Sequence, residues 1–224
     1  MTLTFAEIQK IETFVKSKYV EYHDIQVELV DHLASAIEAE LEQFPNQDFE
    51  KLLLSKYKNF GLFGFSDFVT ERAKAAYSES RKKYWRHFFE FFKLPKFVYT
   101  LLVFTLTFLI VSNLQYNQYK YFVLPYFLIT ALAGVVILFK LNREEKLKLI
   151  QKKYQPLWIS MSGSVLNLNN LILSESFKNV LFTNPYFISF ICTLSLIGTW
   201  AELSTHKQIH EKLRYQYPEA FKKT

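Results

Sequence analysis

Glu202, His206 and His210 recur at every fourth position near the C-terminus, while Asp24, Glu28, Asp31 and His32 crowd a short stretch near the start. Side chains spaced by three and four on a helix share a face, so each group could aim imidazole and carboxylate at one point. Zn²⁺ and harder divalent ions take such donors. Neither group finds its remaining ligands elsewhere in the sequence. The plainer reading of Glu202, His206 and His210 is a solvated amphipathic extension rich in Lys and Glu. The plainer reading of Asp24, Glu28, Asp31 and His32 is an acidic surface that meets a protein partner, with His32 beside a buried stripe. There is no Walker A loop, dinucleotide glycine fingerprint, G-x-S-x-G elbow, C-x-x-C pair or H-E-x-x-H. No catalytic residue, metal or cofactor is therefore expected. The lone Cys192 falls in an apolar run, which excludes a disulfide and points to packing.

The elements that must carry these residues are readable from their ends. Thr4 and Glu7 have the spacing of a capping box, and Leu3 and Ile8 that of a hydrophobic staple, so a helix should begin there and continue through Ile11 and Val15. Tyr22, Ile25, Leu29, Leu33, Ile37, Leu41 and Phe44 then recur at steps of three or four, predicting an amphipathic helix from about 20 to 44. Asp48 should cap a third helix that closes at Gly61, and Ser66 a fourth that runs through Ala76. Residues 1–80 thus make a small soluble helical domain. Its opening, Met1-Thr2-Leu3-Thr4-Phe5-Ala6-Glu7, has neither a basic nor an apolar leader, so the domain should remain on the side where it is made.

The run Tyr22-His23-Asp24-Ile25-Gln26-Val27-Glu28-Leu29-Val30-Asp31-His32-Leu33 resembles the characteristic helix of the HAAS and permease-prefix domains. The helix after it and the Phe60-Gly61 turn are similar too, whereas Leu62-Phe63-Gly64-Phe65 replaces that group's usual turn. The resemblance implies an all-α module ahead of bacterial membrane segments that binds or senses protein partners and catalyses nothing. The whole chain also resembles short bacterial multi-pass membrane proteins of unknown function, some of them labelled carotene oxygenases. Such an activity implies iron held by several histidines within the bilayer, and no histidine lies in a span expected here.

Half the chain is hydrophobic, with 23 Phe and 14 Tyr, and the apolar residues concentrate after residue 96. The uncharged stretches 97–119, 121–139, 154–174 and 179–201 each approach or exceed the roughly 20 residues that cross a bilayer as a helix. The third is diluted by polar residues, leaving a re-entrant segment as its alternative. Ser164, Asn167 and Asn170 in it are expected to hydrogen-bond between helices. The net charge of +6 sits beside the apolar segments rather than on a soluble face, so nucleic acid is not the expected partner. Arg81 to Lys96, Lys140 to Lys153 and Lys207 to Lys223 are basic, whereas the other two connections carry only Lys120 and Lys178. That alternation predicts four spans with both termini cytoplasmic. Residues 81–96 interleave cations with rings, and Lys82, Lys83, Trp85, Arg86, Phe88, Phe89 and Phe92 suit a helix lying on anionic headgroups.

The expected architecture is all-α. A cytosolic helical domain (1–80) leads to an interfacial helix (81–96), a four-span transmembrane bundle (97–201) and a cytosolic tail (202–224), in a bacterial inner membrane. The expected function is partner binding by the cytosolic domain, in a sensory, regulatory or scaffold role. The alternatives are a membrane enzyme for a lipid-soluble substrate and a small transporter or channel subunit. Ala131, Ala133 and Gly134 permit close helix approach within the bundle. A second copy of the chain is a further candidate partner.

Overall fold

The first helix starts where its cap dictates. In the computed structural model, which describes residues 2–114, 119–143, 145–153 and 184–221, α1 spans Phe5–Ser17 with Thr4 as its cap. The Glu7 amide donates to Thr4 Oγ1 (3.4 Å), and the Thr4 amide donates to Glu7 Oε2 (2.8 Å). Two first-turn donors are satisfied reciprocally. The Leu3 amide donates to Glu38 Oε1 (2.9 Å), tying the entry of α1 to the second helix.

Helix α2 covers His23–Gln43. It begins later than the apolar period suggests because Val20 and Tyr22 are buried in an extended lead-in, where Gln26 Nε2 donates to the Val20 carbonyl. The expected stripe of Ile25, Leu29, Leu33, Ile37 and Leu41 is buried. It packs with Ile11 and Val15 of α1, Leu52 and Leu53 of α3 (Phe49–Lys58), and Phe65 and Ala73 of α4 (Phe65–Glu90). Each such Ile, Leu, Val or Phe side chain contributes about 1.5–3 kcal/mol by leaving water. Asp48 caps α3 by accepting from the Lys51 amide at 3.0 Å. Gly61 and Gly64 turn the chain with positive φ, and a Cβ on Gly64 would come within 2.4 Å of the Tyr57 hydroxyl.

The fourth helix departs from expectation. Ser66 lies inside its first turn rather than at a cap, and the helix runs without a break through the basic-aromatic stretch to Glu90. No Gly or Pro interrupts residues 65–90, and Ala73, Ala75 and Ala76 are strong helix formers.

The described residues are all-α, with one isolated bridge between Glu145 and Phe221. They divide into two compact units. One unit takes its described residues from Met1–Glu79, Glu145–Gln155 and Lys212–Thr224, and the other from Ser80–Glu144 and Pro156–Glu211. The second holds α5 (Lys96–Ser112), α6 (Tyr119–Asn142) and most of α8 (Pro185–Gln216). A short α7 (Ile150–Lys153) belongs to the first.

Helix α8 is long and apolar enough to cross a membrane, and α5 is apolar but shorter. Where the apolar stretch 97–119 suggested one long helix, α5 stops at Ser112, because Asn113 Nδ2 and Ser112 Oγ both donate to the Leu109 carbonyl. α8 instead continues beyond Ala201 to Gln216. The expected span 154–174, with Ser164, Asn167 and Asn170, lies outside the described residues. In the second unit Val111, Ile188 and Cys192 form one buried cluster, and Tyr84, Phe88, Ile197 and Ala201 another. Much of its remaining apolar surface faces outward: Leu101, Leu102, Leu106, Leu109 and Ile110 on α5, and Leu128, Ile129, Leu132, Val135 and Val136 on α6, are exposed.

Candidate functional site

Asp24 does not belong to an acidic surface. It sits in the first turn of α2, is 6% exposed, and faces the start of α7. Both of its carboxylate oxygens accept from the Ile150 amide (3.0 and 3.1 Å), Oδ2 also accepts from the Gln151 amide (3.4 Å), and Oδ1 accepts from the Ile25 amide (3.1 Å). First-turn amides have no partner within their own helix, so a carboxylate there satisfies donors that burial would otherwise orphan. Burial pushes the Asp24 carboxyl above its ordinary range, and the amides of Ile150, Gln151 and Ile25 oppose the shift without cancelling it.

More contacts gather around this point. The His23 amide donates to the Lys148 carbonyl (2.9 Å), and Lys148 Nζ pairs with Glu21 (2.8 Å). Lys153 Nζ donates to the Tyr22 hydroxyl and lies over its ring. The tail joins through His23 and Glu219 (2.8 Å), the His23 and Tyr217 rings packed edge to face, and the Lys146 amide on the Ala220 carbonyl (2.8 Å). Leu149, Ile150, Ala220 and Phe221 are buried. Sequence reasoning missed this junction. Its trace was the apolar Leu147, Leu149 and Ile150 among the lysines of the connection, and Tyr217 to Phe221 in a tail taken as solvated.

The other residues of the expected partner surface remain near solvent. Glu28 is half-buried and ion-paired with Arg72. Asp31 and His32 are exposed, and the His32 ring packs edge to face on Phe60 at 5.8 Å. Asp31 also borders a cleft of about 280 Å³ between α1 and α2, whose apolar wall is Ile8, Val27, Val30 and Ala34.

On α8, Glu202 and His210 are buried, and His206 Nε2 lies 3.8 Å from Glu202 Oε1. The solvated extension expected there is thus an inward-facing row. Among the described residues no group of three or more His, Cys, Asp or Glu is arranged to hold a metal. The buried Tyr84 belongs to the same unit, and its hydroxyl is pushed up to about 12 by burial first and by the Glu202 carboxylate second.

The basic-aromatic end of α4 has two sides. Trp85, Phe89 and Phe92 are exposed, with Trp85 and Phe89 stacked at 5.6 Å. Lys82 and Arg86 are exposed and Lys83 is half-buried, and Arg86 Nη2 donates to Gln208 Oε1. Phe88, expected to face the bilayer, is instead buried beside Tyr84. Tyr84 and Phe88 are four apart and share the inner face, whereas Trp85 and Phe89 follow one position round and Phe92 lies beyond the end of α4.

No protein-family model, curated protein or solved structure matches this chain.

Proposed function

We propose that the chain is a multi-pass membrane protein whose helical N-terminal domain binds a protein partner in the cytosol. The observation that carries the membrane reading is the outward-facing apolar surface of α5 and α6, where Leu102, Leu106, Leu128, Ile129 and Leu132 are each more than half exposed. Water-soluble monomers rarely expose contiguous apolar patches of this kind. Lipid removes the cost. Trp85, Phe89 and Phe92 beside Lys82 and Arg86 are suited to the headgroup boundary of an anionic leaflet.

The first unit supports the span count by parity. Residues 145–153 and 212–221 pack with the N-terminal domain, so all three segments share one side of any bilayer that the chain crosses. The number of crossings between successive segments must then be even. α5 and α6 supply the first pair, and α8 with the expected span 154–174 supplies the second. The basic stretches 81–96, 140–153 and 207–223 support assigning that side to the cytosol. For the partner, the exposed Asp31 and His32, the rim of Glu28 and the adjoining cleft offer an acidic edge beside an apolar wall.

Two measurements test the reading. A thiol probe on Lys146→Cys should label in inverted vesicles and not in intact cells, and the opposite result removes the orientation. Full-length protein in mild detergent should retain a cytosolic protein whose binding weakens with Glu28→Lys and Asp31→Lys. Retention unchanged by both substitutions removes that surface.

A second reading, a membrane enzyme acting on a lipid-soluble substrate, draws on the burial of Tyr84, Glu202 and His210 beside His206 in an apolar unit. Conversion of an added lipid extract, lost in both His206→Ala and His210→Ala, would favour it over the first.

A further inference from the structure

We infer that the N-terminal domain is a clasp for its own chain: the start of α2 binds the connection after α6 and the tail after α8, with Asp24 as the central hold. The occupant is fixed by contacts rather than by an open surface. Asp24 accepts from the Ile150 and Gln151 amides, and the His23 amide donates to the Lys148 carbonyl. Ile150, 2% exposed, enters the same apolar cluster as Ile25 and Leu29. The tail is seated on the connection by Lys146 on Ala220, and on α2 by Glu219 against His23.

Two features make this an anchoring device rather than incidental packing. The charge is complementary, since Glu21, Asp24 and the hydroxyl of Tyr22 face Lys148, the α7 amides and Lys153 respectively. The held segments are also the continuations of two long apolar helices: α6 ends at Asn142, just before Glu145, and α8 ends at Gln216, just before Tyr217. A domain that grips both segments holds the stretch of chain that follows each helix. This goes beyond binding of an outside partner, and it places that partner's surface at Glu28 and Asp31, the next turn along α2 from the grip.

The test uses the full chain in detergent, with Glu21→Cys and Lys148→Cys introduced together. These positions pair in the structure and are well exposed, and the native Cys192 is buried. A short bis-maleimide should join them within one chain, read by mass spectrometry on a mixture of isotope-labelled and unlabelled protein. Adding Asp24→Ala should lower the cross-linked fraction about tenfold, because the α7 amides lose their acceptor. Adding Lys58→Ala should leave it unchanged. If Asp24→Ala does not accumulate, Asp24→Asn, which keeps the size and one acceptor, should give a smaller loss. The inference is overturned by no cross-link in the parent, by cross-links only between chains, or by a yield that neither Asp24 substitution changes. None of these outcomes depends on whether an outside partner binds.

Discussion

The two units treat apolar side chains in opposite ways. In the first, Ile11, Val15, Leu29, Leu33 and Ile37 are all at 0% exposure, and most of the exposed positions on their helices are polar or charged. In the second, α5 and α6 turn leucine and isoleucine outward, while the buried positions include Thr107 on α5 and Ser189, Thr193 and Ser195 on α8. The hydroxyls of Thr107, Ser189 and Thr193 return to backbone carbonyls within their own helix. These three hydroxyls are satisfied within their own helices and need no water, which is what a bilayer would require of them. The contrast lies in composition and orientation together: α5 and α6 are more apolar than α1 and α2, and they turn part of that apolar surface outward.

The sharpest way to break the contrast is to truncate one leucine in each unit. Leu33→Ala should cost about 2–5 kcal/mol in the unfolding of the N-terminal unit, since it opens a cavity in a filled core. Leu132→Ala, at a position 69% exposed, should change stability in detergent by well under 1 kcal/mol. Equal losses at both sites would mean that α6 is packed against protein. Leu132→Asp comes next. In a bilayer the carboxylate should cost about 2.5–3.5 kcal/mol, read as loss of the chain from the carbonate-washed membrane fraction. A variant that becomes more soluble without losing its fold would place α6 in water.

Asp24 bears on the first unit alone. Asp24→Ala leaves the α7 amides without an acceptor and should cost about 1–3 kcal/mol in chemical denaturation. The pH dependence has a definite sign. Because burial raises the folded-state value, the group's stabilising contribution is complete below its unfolded value and is lost as pH rises through the raised one. Asp24→Asn should remove that decline. A wild-type profile that instead falls on acidification through this range, and flattens in Asp24→Asn, would mean that the amides outweigh burial.

What was legible follows the range of the interactions. The capping box at Thr4, the Asp48 cap and the α2 stripe are encoded within a few residues, so spacing alone revealed them. The Asp24 junction joins residues 126 positions apart, and nothing near Asp24 distinguishes a buried capping carboxylate from a solvated one. Phe88 was misplaced for a related reason. A cluster of rings on a helix has an inner and an outer side, and which is which depends on what packs there, here Ile197 and Ala201. The merger of the fourth helix with the juxtamembrane stretch was readable in principle from the missing Gly and Pro, but Ser66 offered a competing start signal.

The smallest predicted effect tests the most local feature. Thr4→Ala removes the acceptor for the Glu7 amide and should cost about 1 kcal/mol near neutral pH. Glu7 makes the loss conditional. Its carboxyl is held below the ordinary value chiefly by the Thr4 hydroxyl and then by the Thr4 amide. This stabilisation is present above the unfolded value and disappears as pH falls through the lowered one, the reverse of the behaviour at Asp24. The penalty of Thr4→Ala should therefore shrink on acidification while that part of it lost with the Glu7 amide acceptor persists. A penalty independent of pH would show that the cap acts through the threonine oxygen alone, without the reciprocal carboxylate.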